Sequence, residues 1–324
     1  MIRRLLALCL LAPLPASAFE LGFPVACTPG TDCWIIHYVD HDRGPGIADS
    51  FCGPMTYDGH DGTDIGLRDE AAMRAGVEVV ASAPGVVKAV RDGVPDVTVE
   101  EGGLEAVKGI DCGNGVVLQH DEGWETQYCH MRKGSIAVRP GDSVAAGDRL
   151  GLVGLSGMTS FPHLHLTVRR DGNELDPFHG TGLADACSAA GSPLWRPELA
   201  AALTYQPLAM PVLGVADGPV SGEAVWEGDA AAARLSAGSP ALVVFMGAYA
   251  LRENDRIELS LVSPDGQVVA DRQEIQERDQ ARTMRFAGRK RPPEGWLPGS
   301  WKARAAVTRN GKTYVQVQGF EVLP

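Results

Sequence analysis

Phe161-Pro162-His163-Leu164-His165-Leu166-Thr167-Val168 is the stretch on which the fold turns. Alternate residues of a strand project from one face, so His163 and His165 enter one cavity while Leu164 and Leu166 face the core. Two other segments carry side chains that match this pair. Tyr57-Asp58-Gly59-His60-Asp61-Gly62-Thr63-Asp64-Ile65-Gly66 holds a His-x-x-x-Asp pattern, and its glycines at 59, 62 and 66 argue for bent, extended backbone rather than helix. His130 follows the β-rich run Trp124-Glu125-Thr126-Gln127-Tyr128-Cys129, which would deliver it from the end of its own strand. Together His60, Asp64, His130, His163 and His165 suit a hydrolytic zinc site. Imidazole nitrogen and carboxylate oxygen are borderline to hard ligands, and a catalytic zinc takes three protein ligands with water in the fourth position. Two histidines and one acid fill that set. The other two histidines are then placed to orient or deprotonate the water and to stabilise the developing oxyanion. The spacing leaves open which histidine does which.

Beyond these residues lies a family likeness. The segments His60 to Asp64, Cys129-His130-Met131 and Pro162-His163-Leu164-His165 resemble the three signatures of the lysostaphin-type (LytM-type) zinc endopeptidases, which cut peptidoglycan peptides. The likeness covers roughly residues 55 to 180, with Gly76 to Ala81, Gly85-Val86-Val87, Gly113 to Leu118 and Arg139 to Gly151 similar to the strands and turns around that site. It implies that His60, Asp64 and His165 hold one Zn2+ and that His130 and His163 are the catalytic histidines. Phe161 stands where the family usually has glycine or another small residue, which bears on subsite shape, and Arg68 to Ala75 is polar and long for its connection.

The function implied is an exported zinc metalloendopeptidase hydrolysing cross-links or stem peptides of bacterial peptidoglycan. D-alanyl to diaminopimelate cross-links are the expected bonds if the envelope has a thin wall and a periplasm. Two alternatives stand beside it. One is a non-enzymatic activator or scaffold of another wall hydrolase, the usual fate of this fold when ligands are lost; all five positions are intact here, which ranks it lower. The other is a zinc peptidase acting on non-wall proteins.

Residues 1–18 read as a secretory signal: Arg3 and Arg4, the apolar stretch Leu5 to Leu14, then Ala16-Ser17-Ala18 as a small-residue cleavage site. Periplasm or extracellular space is the expected location, and no later segment approaches about 20 uninterrupted apolar residues, so no membrane span is expected. Of seven cysteines, Cys9 leaves with the signal. The even remainder in an exported chain points to disulfides. Cys112 and Cys129 flank a hairpin, Val116 to Gln119 returning as Glu125 to Tyr128, and are expected to pair across it. Cys33 with Cys52 and Cys27 with Cys187 complete the expected set. A net charge of −12 argues against a nucleic-acid partner.

At 324 residues two domains are expected. The fold class is mainly β: an antiparallel zinc endopeptidase domain over 55–190, then a small immunoglobulin-like β-sandwich over 212–324. A cysteine-bearing lead-in (19–54) precedes them, with Cys33 to Val39 as one strand. A short helix at Leu194 to Leu203 and a linker at Gln206 to Pro211 make up 191–211. The sandwich signal lies in the apolar runs Ala241 to Phe245, Arg256 to Val262 and Trp301 to Val307, separated by turns at Ser263-Pro264-Asp265-Gly266 and Arg309-Asn310-Gly311-Lys312. Its expected role is to engage the wall or a protein partner, or to act as a stabilising spacer. The insertion Val94 to Asp111, with Glu100, Glu101 and Glu105, is expected to rim the cleft. His37-x-x-x-His41 with Asp40 and Asp42 offers a weaker second metal motif.

Overall fold

The computed structural model describes residues 19–324; the signal segment read at 1–18 lies outside them. In chain order the first part contains β1 (Cys33–His37), β2 (Thr63–Leu67), α1 (Glu70–Ala75), β3 (Glu78–Val80), β4 (Gly85–Arg91), α2 (Val99–Gly102), β5 (Asn114–Gln119), β6 (Trp124–Met131), β7 (Ser143–Val144), β8 (Arg149–Leu152), β9 (His163–Arg170) and β10 (Asn173–Leu175). Its main sheet is antiparallel in the order β1-β2-β9-β6-β5-β4-β7, with β10 on the end of β9, and β3 pairs with β8 separately. Leu164, Leu166 and Val168 of β9 are fully buried on the core side with Ile65, Val116, Leu118 and Tyr128. The opposite face of β9 carries His163, His165 and Thr167, as strand alternation requires.

The lead-in is part of this sheet. β1 is its edge strand, paired with β2 from Cys33↔Leu67 to His37↔Asp64. The segment after it is tied down by Tyr38 packing on Phe178 and Tyr205, and by the Asp49 carboxylate accepting from Phe51, Gly53 and Met55 N–H and from the Tyr205 hydroxyl. The stretch Arg68 to Ala75 holds α1 (Glu70–Ala75), with Asp69 as its N-cap accepting from Ala72 N–H.

The second part contains β11 (Ala209–Ala216), α3 (Gly222–Glu227), β12 (Leu235–Ser236), β13 (Ala241–Leu251), β14 (Arg256–Val262), β15 (Val268–Ile275), β16 (Gln280–Lys290), β17 (Gly299–Arg309) and β18 (Lys312–Leu323). A three-stranded sheet, β11-β13-β16, and a five-stranded one, β12-β18-β17-β14-β15, close on a shared core of Leu242, Val244, Met246, Leu259, Trp301 and Val307. This is a two-sheet sandwich. The Asn310-Gly311 turn joins β17 to β18 with Arg309 opposite Lys312, and Ser263 to Gly266 joins β14 to β15.

Three expectations need correction. The disulfides are Cys27–Cys33, Cys52–Cys187 and Cys112–Cys129, so only the hairpin pair is as expected; Cys33 does not meet Cys52, nor Cys27 Cys187. Cys27 and Cys33 sit on either side of a tight turn closed by Gly30 N–H donating to the Cys33 carbonyl. Cys52 is carried instead to the 176–187 segment by His41, which bonds both Asp176 and the Asp185 carbonyl. Leu194 to Leu203 forms only a 3-10 turn at Pro197–Leu199. The expected linker ends early, because β11 already starts at Ala209.

Candidate metal centre and active-site cleft

Three neighbouring elements bring the five residues together. Asp64 on β2 lies directly opposite His165 on β9, so the two side chains rise from the same face of adjacent strands. His60 ends the turn before β2, its N–H bonded to the Tyr57 carbonyl, while the preceding Gly59 N–H is held by Asp40. Gly62 is required here: a Cβ at that position would come within 2.5 Å of His165 Nε2.

His130 arrives differently. Cys129 opposite His165 shares the cleft face, so simple alternation would send His130 to the other side. The chain turns at His130 itself, which adopts φ 60°, a left-handed backbone that costs a non-glycine residue about 1–3 kcal/mol. Three contacts maintain it: the Cys112–Cys129 bridge, His130 N–H to the Cys112 carbonyl at 2.8 Å, and His130 Nδ1 to the Ser156 carbonyl at 2.8 Å. Its ring lies 4.6 Å from that of His163 and 6.0 Å from that of His165, centroid to centroid.

The hydrogen-bond partners decide the tautomers. His60 Nδ1–H donates to the Tyr38 carbonyl at 2.6 Å, leaving Nε2 as a lone pair. His165 Nε2–H donates to Thr167 Oγ1 at 3.0 Å and Asp61 at 3.2 Å, leaving Nδ1 as a lone pair. These two atoms are 3.2 Å apart, and Asp64 Oδ1 lies 3.1 Å from the first and 2.9 Å from the second. Three electron-pair donors thus face one another at the spacing of ligands around a small cation, about 3.3 Å for a tetrahedral shell with bonds of about 2.05 Å. The outer nitrogens are anchored to carbonyl and carboxylate, the arrangement that orients metal-binding imidazoles. The residues therefore fit a metal ion.

Electrostatics bear on the same atoms. Burial acts to raise the Asp64 carboxyl, but the surrounding imidazoles of His60, His163 and His165 outweigh it and hold the group well below the usual carboxylate range. Burial acts to lower His165, but Asp61 and Asp64 outweigh it and raise the imidazole to about 9, so a metal ion at Nδ1 would have to displace a proton there. Burial, followed by the nearby His163 and His165 charges, pushes His130 well below the ordinary imidazole value. His163 Nδ1 contacts the Phe161 carbonyl at 2.9 Å and Thr159 Oγ1 at 3.1 Å, and its Nε2 lies 3.5 Å from Asp64.

A residue that sequence reasoning left outside the site also belongs here. His37 on β1 places Nδ1 2.9 Å from Asp64 Oδ2, and burial lowers its pKa. Its signal was the strand Cys33 to Val39, whose pairing with the Asp64 strand is not written in the local sequence. The second metal motif does not form: His37 turns to Asp64, whereas His41 bonds Asp176, and Asp42 caps its own loop at Gly44 N–H. A cleft of about 320 Å³ opens beside His130 and His165, with Tyr57, Asp61, Arg91, Asp111, Met158 and Arg169 on its walls. Glu100, Glu101 and Glu105 are exposed outside this lining, so Asp61 and Asp111, rather than those three, put acid on the rim.

Comparison with known proteins gives this geometry a family. Residues 58–177 match the model of Peptidase family M23. Over 106 residues the chain is 35% identical to the peptidoglycan DD-endopeptidase ShyA of Vibrio cholerae, covering 33% of this chain and 19% of that protein. Over 105 residues it is 31% identical to the DD-carboxypeptidase/endopeptidase Mpg of Neisseria meningitidis, covering 32% of this chain and 22% of that one. The match thus leaves most of each relative outside it. Among solved structures, a mutant catalytic domain of the prophage-encoded M23 protein EnpA from Enterococcus faecalis is 24% identical, with 50% of this chain and 96% of that one covered at a TM-score of 0.32. The family match falls on the stretch that carries the His60 to Asp64, His130 and His163 to His165 segments from which the resemblance was read.

Proposed function

We propose that this protein is an exported zinc metalloendopeptidase that hydrolyses peptide bonds in the cross-links or stem peptides of bacterial peptidoglycan. The observation that carries the reading is the meeting of three lone-pair ligand atoms within 3.2 Å, with the two remaining imidazoles beside them. His60 Nε2, Asp64 Oδ1 and His165 Nδ1 would hold the ion, and two imidazoles with one carboxylate are a catalytic zinc donor set. Bound zinc would polarise the scissile carbonyl and bring water to a pKa of about 7.

His130 and His163 handle the protons. Each directs Nδ1–H to a fixed backbone carbonyl, so each presents an Nε2 lone pair towards the site. Burial keeps His130 neutral at neutral pH, ready to accept a proton from the attacking water and return it to the leaving amine. His163, adjacent to it, is oriented to steady the charge that develops on the carbonyl oxygen. The walls carry Asp61 and Asp111 together with Arg91 and Arg169, which suits a peptide bearing both amines and carboxylates, as wall peptides do. Three disulfides support an oxidising compartment. Among the described residues no helix is long and apolar enough to cross a membrane.

The test is incubation of the mature, zinc-loaded protein with isolated walls, followed by mass spectrometry of released fragments, beside a His163→Ala control. Wild type should release peptides in a chelator-sensitive way, and the variant should be slower by about 10²–10⁴-fold with its zinc retained. No release by wild type removes the enzyme reading. Identical release by both proteins removes the role of His163.

A further inference from the structure

The sandwich touches the turn that precedes His163 without entering the cleft. Arg282 on β16 sits directly across from Tyr249 on β13 and points out of the sandwich toward the first part of the chain. Its Nη1 donates to the Ser160 carbonyl at 2.8 Å. Its guanidinium lies 5.9 Å from the Phe161 ring centre and 5.3 Å from that of Trp226, while Tyr249 stands 5.2 Å from both rings. Phe161 continues the chain of contacts inward, its ring 4.6 Å from that of His163.

The turn so gripped is the one that orients His163. Its Nδ1 partners are the Phe161 carbonyl and Thr159 Oγ1, and the Thr159 hydroxyl itself donates to that same carbonyl at 2.9 Å. Ser160 lies between these two residues. Any shift of the turn therefore rotates the imidazole away from the site, because both of its anchors move together. No sandwich residue lines the cleft described above, so an effect of Arg282 on turnover has to pass through this turn rather than through contact with substrate.

We propose that Arg282 is a positioning residue for His163, by which the C-terminal sandwich sets the catalytic geometry of the M23 domain. This rests on the peptidase reading above. A guanidinium suits the task because its cation lies within reach of the Phe161 and Trp226 rings while one N–H holds a carbonyl. The bulky Phe161 is then the piece that transmits the grip.

The test uses the full mature chain with Arg282→Met, which keeps most of the stem and removes the guanidinium. In the zinc-loaded protein kcat on wall peptides should fall by about 10-fold or more, since small misplacements of a catalytic group are costly. KM should stay within about twofold, as expected when no substrate contact is lost. Zinc content should be unchanged. Amide deuterium exchange should speed up in a peptide spanning residues 158–163 and not in one spanning 60–66. Phe161→Ala should lower kcat by a similar factor, and the double variant should be no worse than either single one, because both act through one turn. If Arg282→Met does not fold, Arg282→Lys, which keeps charge and loses the planar stack, takes its place in every measurement. Unchanged exchange at 158–163, a fall confined to KM, or additive effects in the double variant overturns the proposal. Absence of wall cleavage by wild type sinks the peptidase reading instead, while the exchange result still decides whether Arg282 governs the turn.

Discussion

At the scale of single residues, the site is built from hydrogen bonds that leave lone pairs where a cation can use them. His60 and His165 use opposite ring nitrogens for this, one anchored to the Tyr38 carbonyl and the other to Asp61 and Thr167. Asp64 is oriented in the same manner by His37. Replacing His37 with alanine should therefore weaken metal binding by about 10–100-fold, as loss of an outer partner typically does, without removing a ligand. Competition with a chromophoric chelator measures it, and an unchanged affinity would show that His37 has no hold on the carboxylate. That His60, Asp64, His130, His163 and His165 could converge was legible because so few side chains bind metal and their spacing on strands limits which can meet. His37 was not, since nothing near it states which strand becomes its neighbour. Phe161 reads in the sequence only as a departure in subsite shape, because the sandwich residues that pack on it lie at positions 249 and 282.

At the scale of elements, the hairpin of β5 and β6 carries the backbone strain nearest the site. It hands His130 over with a left-handed backbone, and the bridge between Cys112 and Cys129, 17 residues apart, clamps the two ends of that bend. The double variant Cys112→Ser/Cys129→Ser should lose about 3 kcal/mol of stability, the chain-entropy value for a loop of this size. Denaturant titration reads that loss. Peptidase activity measured well below the unfolding midpoint should fall further than the folded fraction explains, because His130 is free to relax; activity proportional to folded protein would remove the bridge from the machinery. This pairing could be read from sequence because a hairpin is local. The other two could not: one closes a turn of six residues and the other depends on how His41 docks. The short helix expected at Leu194 to Leu203 failed for a related reason. Alanines there favour helix, yet the segment is held open by Leu21 N–H to the Leu194 carbonyl and Arg196 N–H to the Leu21 carbonyl, contacts with the far end of the described chain.

At the scale of the whole molecule, the lead-in and the segment after β10 are fastened together around the M23 domain. His41 meets Asp176 in a buried pair. Burial opposes charge on the imidazole, but the bonds to Asp176 and to the Asp185 carbonyl outweigh it and raise the pKa. A group raised on folding contributes stability that is complete below its unfolded value, about 6.5, and is lost as pH climbs through the folded value. The melting-temperature advantage of wild type over His41→Gln should accordingly shrink as pH is raised above about 6.5; a gap that widens with pH would contradict the assignment. Beside this pair, Cys52–Cys187 joins positions 135 residues apart, and His60, Asp64, His130, His163 and His165 all fall between them. Covalently, the portion that carries the metal centre is a ring rather than a line. A protease that nicked the exposed stretch around residues 100–106 would sever the backbone without setting either piece loose, and the scission would become visible on a gel only after thiol reduction.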